Sequence, residues 1–225
     1  MGLFDETLLK YEELFPGSPF LTTWVPREGF ISSQSDAHGN LSITRNGEKT
    51  YGFAFGNTPI FDPTWQSCSI ETKGVTHLPP DFEAVDQWDC YWAPTHEGSY
   101  SAEGEATDRD IEKFLTEHAP DSSVFPGNHE ILQWVQIHEK GELLAVAALC
   151  RWESGKVVIS SVGTHSQHRG RGLGKELMRR ALISGRELGE EHLSLGVMHE
   201  NESAQRLYAA AGFTLMHRFT FCERR

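Results

Sequence analysis

The chain is poor in sulfur and in positive charge, and it has no long apolar run. Its 225 residues hold four cysteines, Cys68, Cys90, Cys150 and Cys222, widely spaced and without a CxxC pair. With no signal-like segment at the N-terminus, this spacing predicts reduced thiols in a cytoplasmic setting. Twenty Lys+Arg stand against 32 Asp+Glu, a formal net charge of −12. Such a balance argues against nonspecific binding to nucleic acid or anionic membranes and is compatible with a cationic substrate. No apolar stretch approaches the length of a membrane span. Met1-Gly2 is followed by Glu6 rather than Ser or Thr at the sixth position, which discards N-myristoylation.

What is present begins with a short helix over 3–15, ending at Pro16-Gly17. Asn46-Gly47 between two alternating runs in 40–55 predicts a hairpin. Segment 56–80 is rich in Pro, Gly, Thr and Asn, with one strand expected over 65–72. In 81–93 the rings of Trp88, Tyr91 and Trp92 are expected to pack a core, an interdomain surface or a homodimer interface rather than to bind a ligand. The polar loop 94–106, with Glu97, Glu103 and Glu105, reads as a linker or a substrate-side loop. Thr107 then caps a helix near 108–118, with acids in its first turn.

From 130 onward the pattern is strand 131–138, strand 143–152, strand 157–164, helix 171–188, strand 192–198, helix 202–211 and strand 214–222. Hairpins first and helices on the later connections predict an α+β (mixed α/β) fold with a mixed rather than doubly wound sheet.

Between the β-branched run 157–162 and the amphipathic segment 171–188 lies His165-Ser-Gln-His-Arg-Gly-Arg-Gly-Leu-Gly-Lys-Glu-Leu177. Gly170, Gly172 and Gly174 let a ligand approach backbone N–H groups at a helix start, and Arg169 and Arg171 add positive charge, so a phosphate site is expected here. Spacing rejects three alternatives. A Walker loop fails because Glu176 follows Gly174-Lys175, and GxGxG is not the dinucleotide GxGxxG. In the metalloprotease motif that begins at His199-Glu200, the second histidine is replaced by Ser203. No metal is expected.

The combination of Arg169-x-x-Gly172-x-Gly174 with Asn201-Glu-Ser-Ala-Gln-Arg-Leu-Tyr208-Ala-Ala-Ala-Gly212-Phe213 resembles the GNAT superfamily of acyl-CoA N-acyltransferases. The resemblance covers 107–225 well. It implies a central mixed, mostly antiparallel sheet with helices on both faces in an acetyltransferase domain over 81–225. Residues 1–80 would be an accessory region or a degenerate copy of the same fold.

The resemblance further implies acetyl-CoA as co-substrate and an amine acceptor, either a small molecule or a protein amine. Its pyrophosphate would lie on Arg169, Gly170, Arg171, Gly172, Leu173, Gly174 and Lys175. Its pantetheine arm would run along Val162, Gly163 and Thr164, with Asn201 contacting it. Tyr208 would protonate the departing thiolate, and the N–H near Val162 would receive the oxyanion of the tetrahedral intermediate. The carboxylate that many members carry on the strand before the turn is here Ser160 and Ser161. The candidates for the base are therefore Glu130, His138, His165, His199 or a water chain. A catalytically idle acyl-CoA-binding or regulatory module is the alternative reading.

Overall fold

The computed structural model describes residues 2–101 and 104–225; Glu103 of the acidic loop lies outside them. The chain divides into two compact units. One comprises residues up to 90 with 196–202 and 215–225, and the other comprises 91–195 with 203–214.

In the first unit, helix α1 (Leu3–Leu14) buries Phe4, Thr7 and Tyr11, the spacing of one helical face. A short helix α2 (Phe20–Trp24) follows, then strands β1 (Phe30–Ser35), β2 (Leu41–Arg45), β3 (Tyr51–Phe55) and β4 (Ser67–Glu71). β1, β2 and β3 form an antiparallel meander, with the expected hairpin between β2 and β3. β4 runs parallel to β3, and strand β10 (Thr214–Arg224) returns antiparallel to β4. Phe20, Leu41, Ile43, Phe55 and Phe219 fill the core between helices and sheet.

Strand β5 (Phe82–Pro94) begins in the first unit and ends in the second. Its aromatics are packing residues. Trp88 lies against Trp24 and Phe219, Tyr91 against Tyr208, and Trp92 against His192.

The second unit is built as the residue pattern predicts. Helix α3 (Asp108–His118) starts at a reciprocal cap: the Asp110 N–H donates to Thr107 Oγ1 at 3.3 Å, and the Thr107 N–H donates to the Asp110 carboxylate at 3.1 Å. Strands β6 (Ile131–Glu139), β7 (Glu142–Arg151) and β8 (Val157–Thr164) form a second antiparallel meander. Helix α4 (Leu173–Glu187) then crosses over to β9 (His192–Met198), which is parallel to β8, and α5 (Glu202–Ala210) follows.

β7 is buried at every position from Leu144 to Cys150, because both faces of the sheet are covered. Val146 packs with Ile111, Phe114 and Leu115 of α3, and α4 covers the other face with Leu177, Met178, Ala181 and Leu182. Each unit therefore contains three antiparallel strands followed by a parallel one. In the first, 56–66 joins β3 to β4 without a helix, where the second uses α4.

Candidate active site

The phosphate-type turn is assembled in the second unit. β8 ends at Thr164, a single 3-10 turn follows over Ser166–His168, and α4 begins after Gly172. Gly170 and Gly172 adopt φ of 78° and 82°, the left-handed region that side chains resist. A Cβ at either would meet nothing within 4 Å, so the outward side of this backbone is clear for a ligand. Glu176 N–H makes the first helical bond, to Gly172 C=O at 3.1 Å. By helix geometry the N–H groups of Leu173, Gly174 and Lys175 point out of the helix start, at its positive end.

Gly174 serves packing: a Cβ there would lie 2.9 Å from Leu207 Cδ1. The helix start is thus pressed onto α5, one residue before Tyr208. Arg169 donates to His118 C=O at 3.1 Å, while Arg171 lies 2.6 Å from His168 Nδ1 and pairs with Glu139 at 2.7 Å. The Arg171 guanidinium holds the Glu139 carboxyl below its ordinary range.

The strand leading into the turn is irregular in the same place. Across β7 and β8, Val146 pairs with Gly163 but Ala148 with Ser160, so Ser161 and Val162 together face Ala147. This is a β-bulge, and Ser161 in it has φ of 50°. Ser161 and Gly163 are buried, whereas Ser160, Val162 and Thr164 are half-open. Gly163 lies under Phe114, Leu115 and Ala119. On its other side β8 registers with β9 at Val158↔Ser194 alone among the described residues, so the strands part beyond that point. An extended arm can pair with such a strand edge.

Tyr208, on α5, is 5% exposed, with its ring 5.9 Å from that of Tyr91 and 6.0 Å from that of Phe213. Burial, and then the neighbouring Tyr91, push its hydroxyl well above the ordinary tyrosine value, so it stays protonated at neutral pH. Asn201 belongs to the stretch 196–202 of the first unit, where its N–H donates to Met198 C=O at 2.9 Å.

The four candidate bases have different surroundings. Glu130 is half-buried at the entry to β6. His138 is buried, with Nε2 2.8 Å from the Gln136 amide oxygen. His165 accepts the Gln167 N–H on Nδ1 at 3.3 Å, has its ring centroid 4.1 Å from that of His118 at a tilt of 42°, and has Glu142 at 3.6 Å. His199, in the first unit, has Nδ1 3.2 Å from Asp89, a wholly buried carboxylate that also accepts from Arg218 at 2.9 and 3.1 Å. Asp89 has no local sequence signature, because its partners, just after β9 and in β10, lie over a hundred residues away. Glu105 of the loop and Asp108 at the start of α3 line a cavity of about 580 Å³ beside β6, with Tyr100 and Trp134.

Residues 84–213, more than half of the chain, match the model of the acetyltransferase (GNAT) family. The chain is 31% identical over 81 residues to the L-methionine sulfoximine/L-methionine sulfone acetyltransferase of Salmonella typhimurium. It is 28% identical over 81 residues to the L-amino acid N-acyltransferase MnaT of Escherichia coli. Each match covers 34% of this chain and 47% of the relative, so the chain spans about half the length of the curated relatives it matches.

Among solved structures, a GCN5-related N-acetyltransferase from Kribbella flavida is similar over 97% of this chain and 95% of its own, with a TM-score of 0.51 at 15% identity. A GNAT-family acetyltransferase from Colwellia psychrerythraea is similar over 100% and 98%, with a TM-score of 0.50 at 13% identity. At these identities the likeness concerns the fold, whose mixed sheet and helices are those expected from the residues. With its glycine turn, bulged strand and buried tyrosine, the chain belongs to the acetyltransferase (GNAT) family.

Proposed function

We propose that the protein transfers the acetyl group of acetyl-CoA to a primary amine, with the site in the second unit. The observation that carries this reading is the left-handed turn Gly170–Gly172, open on its outer side, at the end of a strand that registers with β9 at one position only. The N–H groups from Gly170 to Lys175 and the two arginines fit a pyrophosphate. Val162, Gly163 and Thr164 offer an edge to the pantetheine arm. Asn201, immediately before α5, belongs to the same proposal on the family resemblance alone.

Acetyl-CoA supplies an activated carbonyl and a thiolate leaving group. The protein's part is to place three groups around that carbonyl. The N–H near Val162, at the bulge, would donate to the carbonyl oxygen, where a fixed donor stabilises developing negative charge. Tyr208, kept protonated by burial, donates to the leaving sulfur. The amine loses its proton to one of the four candidate bases or to water.

The relatives' names point to the α-amine of an amino acid or a close derivative as acceptor. We propose 81–225 as the acetyltransferase domain, which the family match over 84–213 supports. Residues 1–80 would form an accessory region. Its meander and parallel strand favour a degenerate copy over an unrelated module. Four free thiols are consistent with a cytoplasmic setting, and among the described residues no helix is long and apolar enough to cross a membrane.

Thiol release from acetyl-CoA across a panel of L-amino acids, including L-methionine sulfone, tests the reading. Turnover is expected on at least one amine. Tyr208→Phe should lower kcat by about 100-fold or more, with KM for acetyl-CoA little changed. Tight CoA binding without turnover on any amine would instead identify an idle module.

A further inference from the structure

Among the described residues, two that are not glycine have positive φ. Lys140, at 53°, lies in the tight turn between β6 and β7, where that conformation is ordinary. Ser161, at 50°, lies inside a strand and has no turn to explain it. A serine held this way costs about 1–2 kcal/mol and persists only where its surroundings over-determine it.

Those surroundings are specific. The connection between α3 and β6 contains two local turns, closed by Ser122 N–H to Ala119 C=O at 3.1 Å and by Asn128 N–H to Phe125 C=O at 3.1 Å. Val124 sits between the turns, buried, and both of its backbone polar groups go to Ser161. The Val124 N–H donates to Ser161 Oγ at 3.0 Å, and the Ser161 hydroxyl donates to Val124 C=O at 2.8 Å. One hydroxyl thus replaces the strand partner that buried backbone requires. An alanine or glycine at 161 would leave both groups of Val124 without that partner.

We propose that Ser161 is a positioning residue for acyl transfer: its clasp on Val124 holds the bulge in register, and so holds the Val162 N–H at the angle that receives the carbonyl oxygen. The inference rests on the acetyltransferase reading and adds to it a residue that does not touch the reacting atoms. The clasp also ties the 119–130 connection to the strand that carries the chemistry. Displacing a donor of this kind by about 1 Å is worth roughly 100-fold in rate.

Two variants separate the clasp from backbone strain. Ser161→Gly removes the hydroxyl and relieves the left-handed strain. Ser161→Ala removes the hydroxyl and keeps the strain. The proposal expects both to lower kcat by about 10- to 100-fold, with KM for acetyl-CoA and CoA affinity by calorimetry unchanged. In both, amide hydrogen exchange at Val124, whose N–H donates to Ser161 Oγ, should accelerate at least 10-fold. A Ser161→Gly protein that keeps wild-type kcat, or wild-type exchange at Val124, overturns the clasp. The exchange measurement decides this even if no acceptor amine is found. Failure of the wild-type protein to bind CoA would overturn the acetyltransferase reading instead, and that outcome is read before any variant is made.

Discussion

Gly172 shows how much of the site is fixed by single residues. It caps α4 in the left-handed region, where any side chain is strained, yet a Cβ there would meet no neighbour. Strain and space therefore predict different things for different substitutions. Gly172→Ala should cost about 1–2 kcal/mol of stability and weaken CoA binding only modestly, because its single methyl meets no protein atom and intrudes only on the ligand's side. Gly172→Asp sets a carboxylate beside the N–H groups proposed to hold pyrophosphate. It should weaken CoA binding by at least 100-fold in calorimetry while melting close to the alanine variant. Equal CoA affinity in the aspartate and wild-type proteins would remove the turn from the site.

Elements were legible in proportion to how local their causes are. The face of α4 could be read from Leu173, Leu177, Met178, Ala181 and Leu182, and the turn before it from glycines that only a left-handed backbone requires. Strand β1 has no such signature: its residues, FISSQS, are half-buried or exposed without alternation. α2 has five residues, too few to show a helical period. The Ser161 bulge could not be read either, because a serine at positive φ inside a β-branched run leaves no mark in composition. Nor could the convergence of Asp89, His199 and Arg218, which depends on which distant strands become neighbours.

One element contact was hidden behind a residue that did stand out. Gly174 has its meaning in α5, since Leu207 occupies the place of its missing Cβ. Gly174→Ala should push α5 outward, costing about 1–3 kcal/mol. It should also lower kcat more than CoA affinity, because Tyr208 is the next residue on that helix. Adding Leu207→Ala opens the space again. A double-mutant cycle on kcat and on Tm should therefore show the pair to be less damaging than the sum of its parts. Strict additivity would mean that the contact does not position Tyr208.

At the scale of the molecule, a buried polar network runs through the core of the first unit. His217 is 2% exposed and surrounded by Phe15, Phe20, Phe55 and Phe219 at 4.8–5.4 Å. Its Nδ1 lies 3.0 Å from Glu71, which also accepts the Gly56 N–H at 2.7 Å and pairs with Lys73 at 2.9 Å. Its Nε2 lies 2.5 Å from the Tyr11 hydroxyl, itself 2.7 Å from Ser18. With Glu71 ionised, the neutral tautomer carrying its proton on Nδ1 satisfies the whole chain, and Tyr11 donates to Nε2.

Burial, outweighing the hydrogen bond to Glu71, pushes the His217 pKa below its ordinary value near 6.5. The unfolded chain then binds a proton that the folded chain refuses. The stabilisation is complete above about pH 6.5 and is lost as pH falls from there toward the lowered folded value. His118 and His192, both shifted downward chiefly by burial, act in the same direction. Glu71 adds a later step. Burial raises its pKa, but the bonds from His217, Gly56 and Lys73 prevail and hold it below 4.5, so its contribution fades only below that pH.

The protein should therefore lose stability from neutral pH downward, well before carboxylate titration begins. His217→Gln should cost about 1–3 kcal/mol at pH 7.5 by disturbing a buried network. It should also flatten the dependence between pH 7 and 5, since glutamine does not titrate. Urea midpoints for both proteins across that range would check this. A variant whose stability falls as steeply as the wild type's would show that the acid sensitivity arises elsewhere.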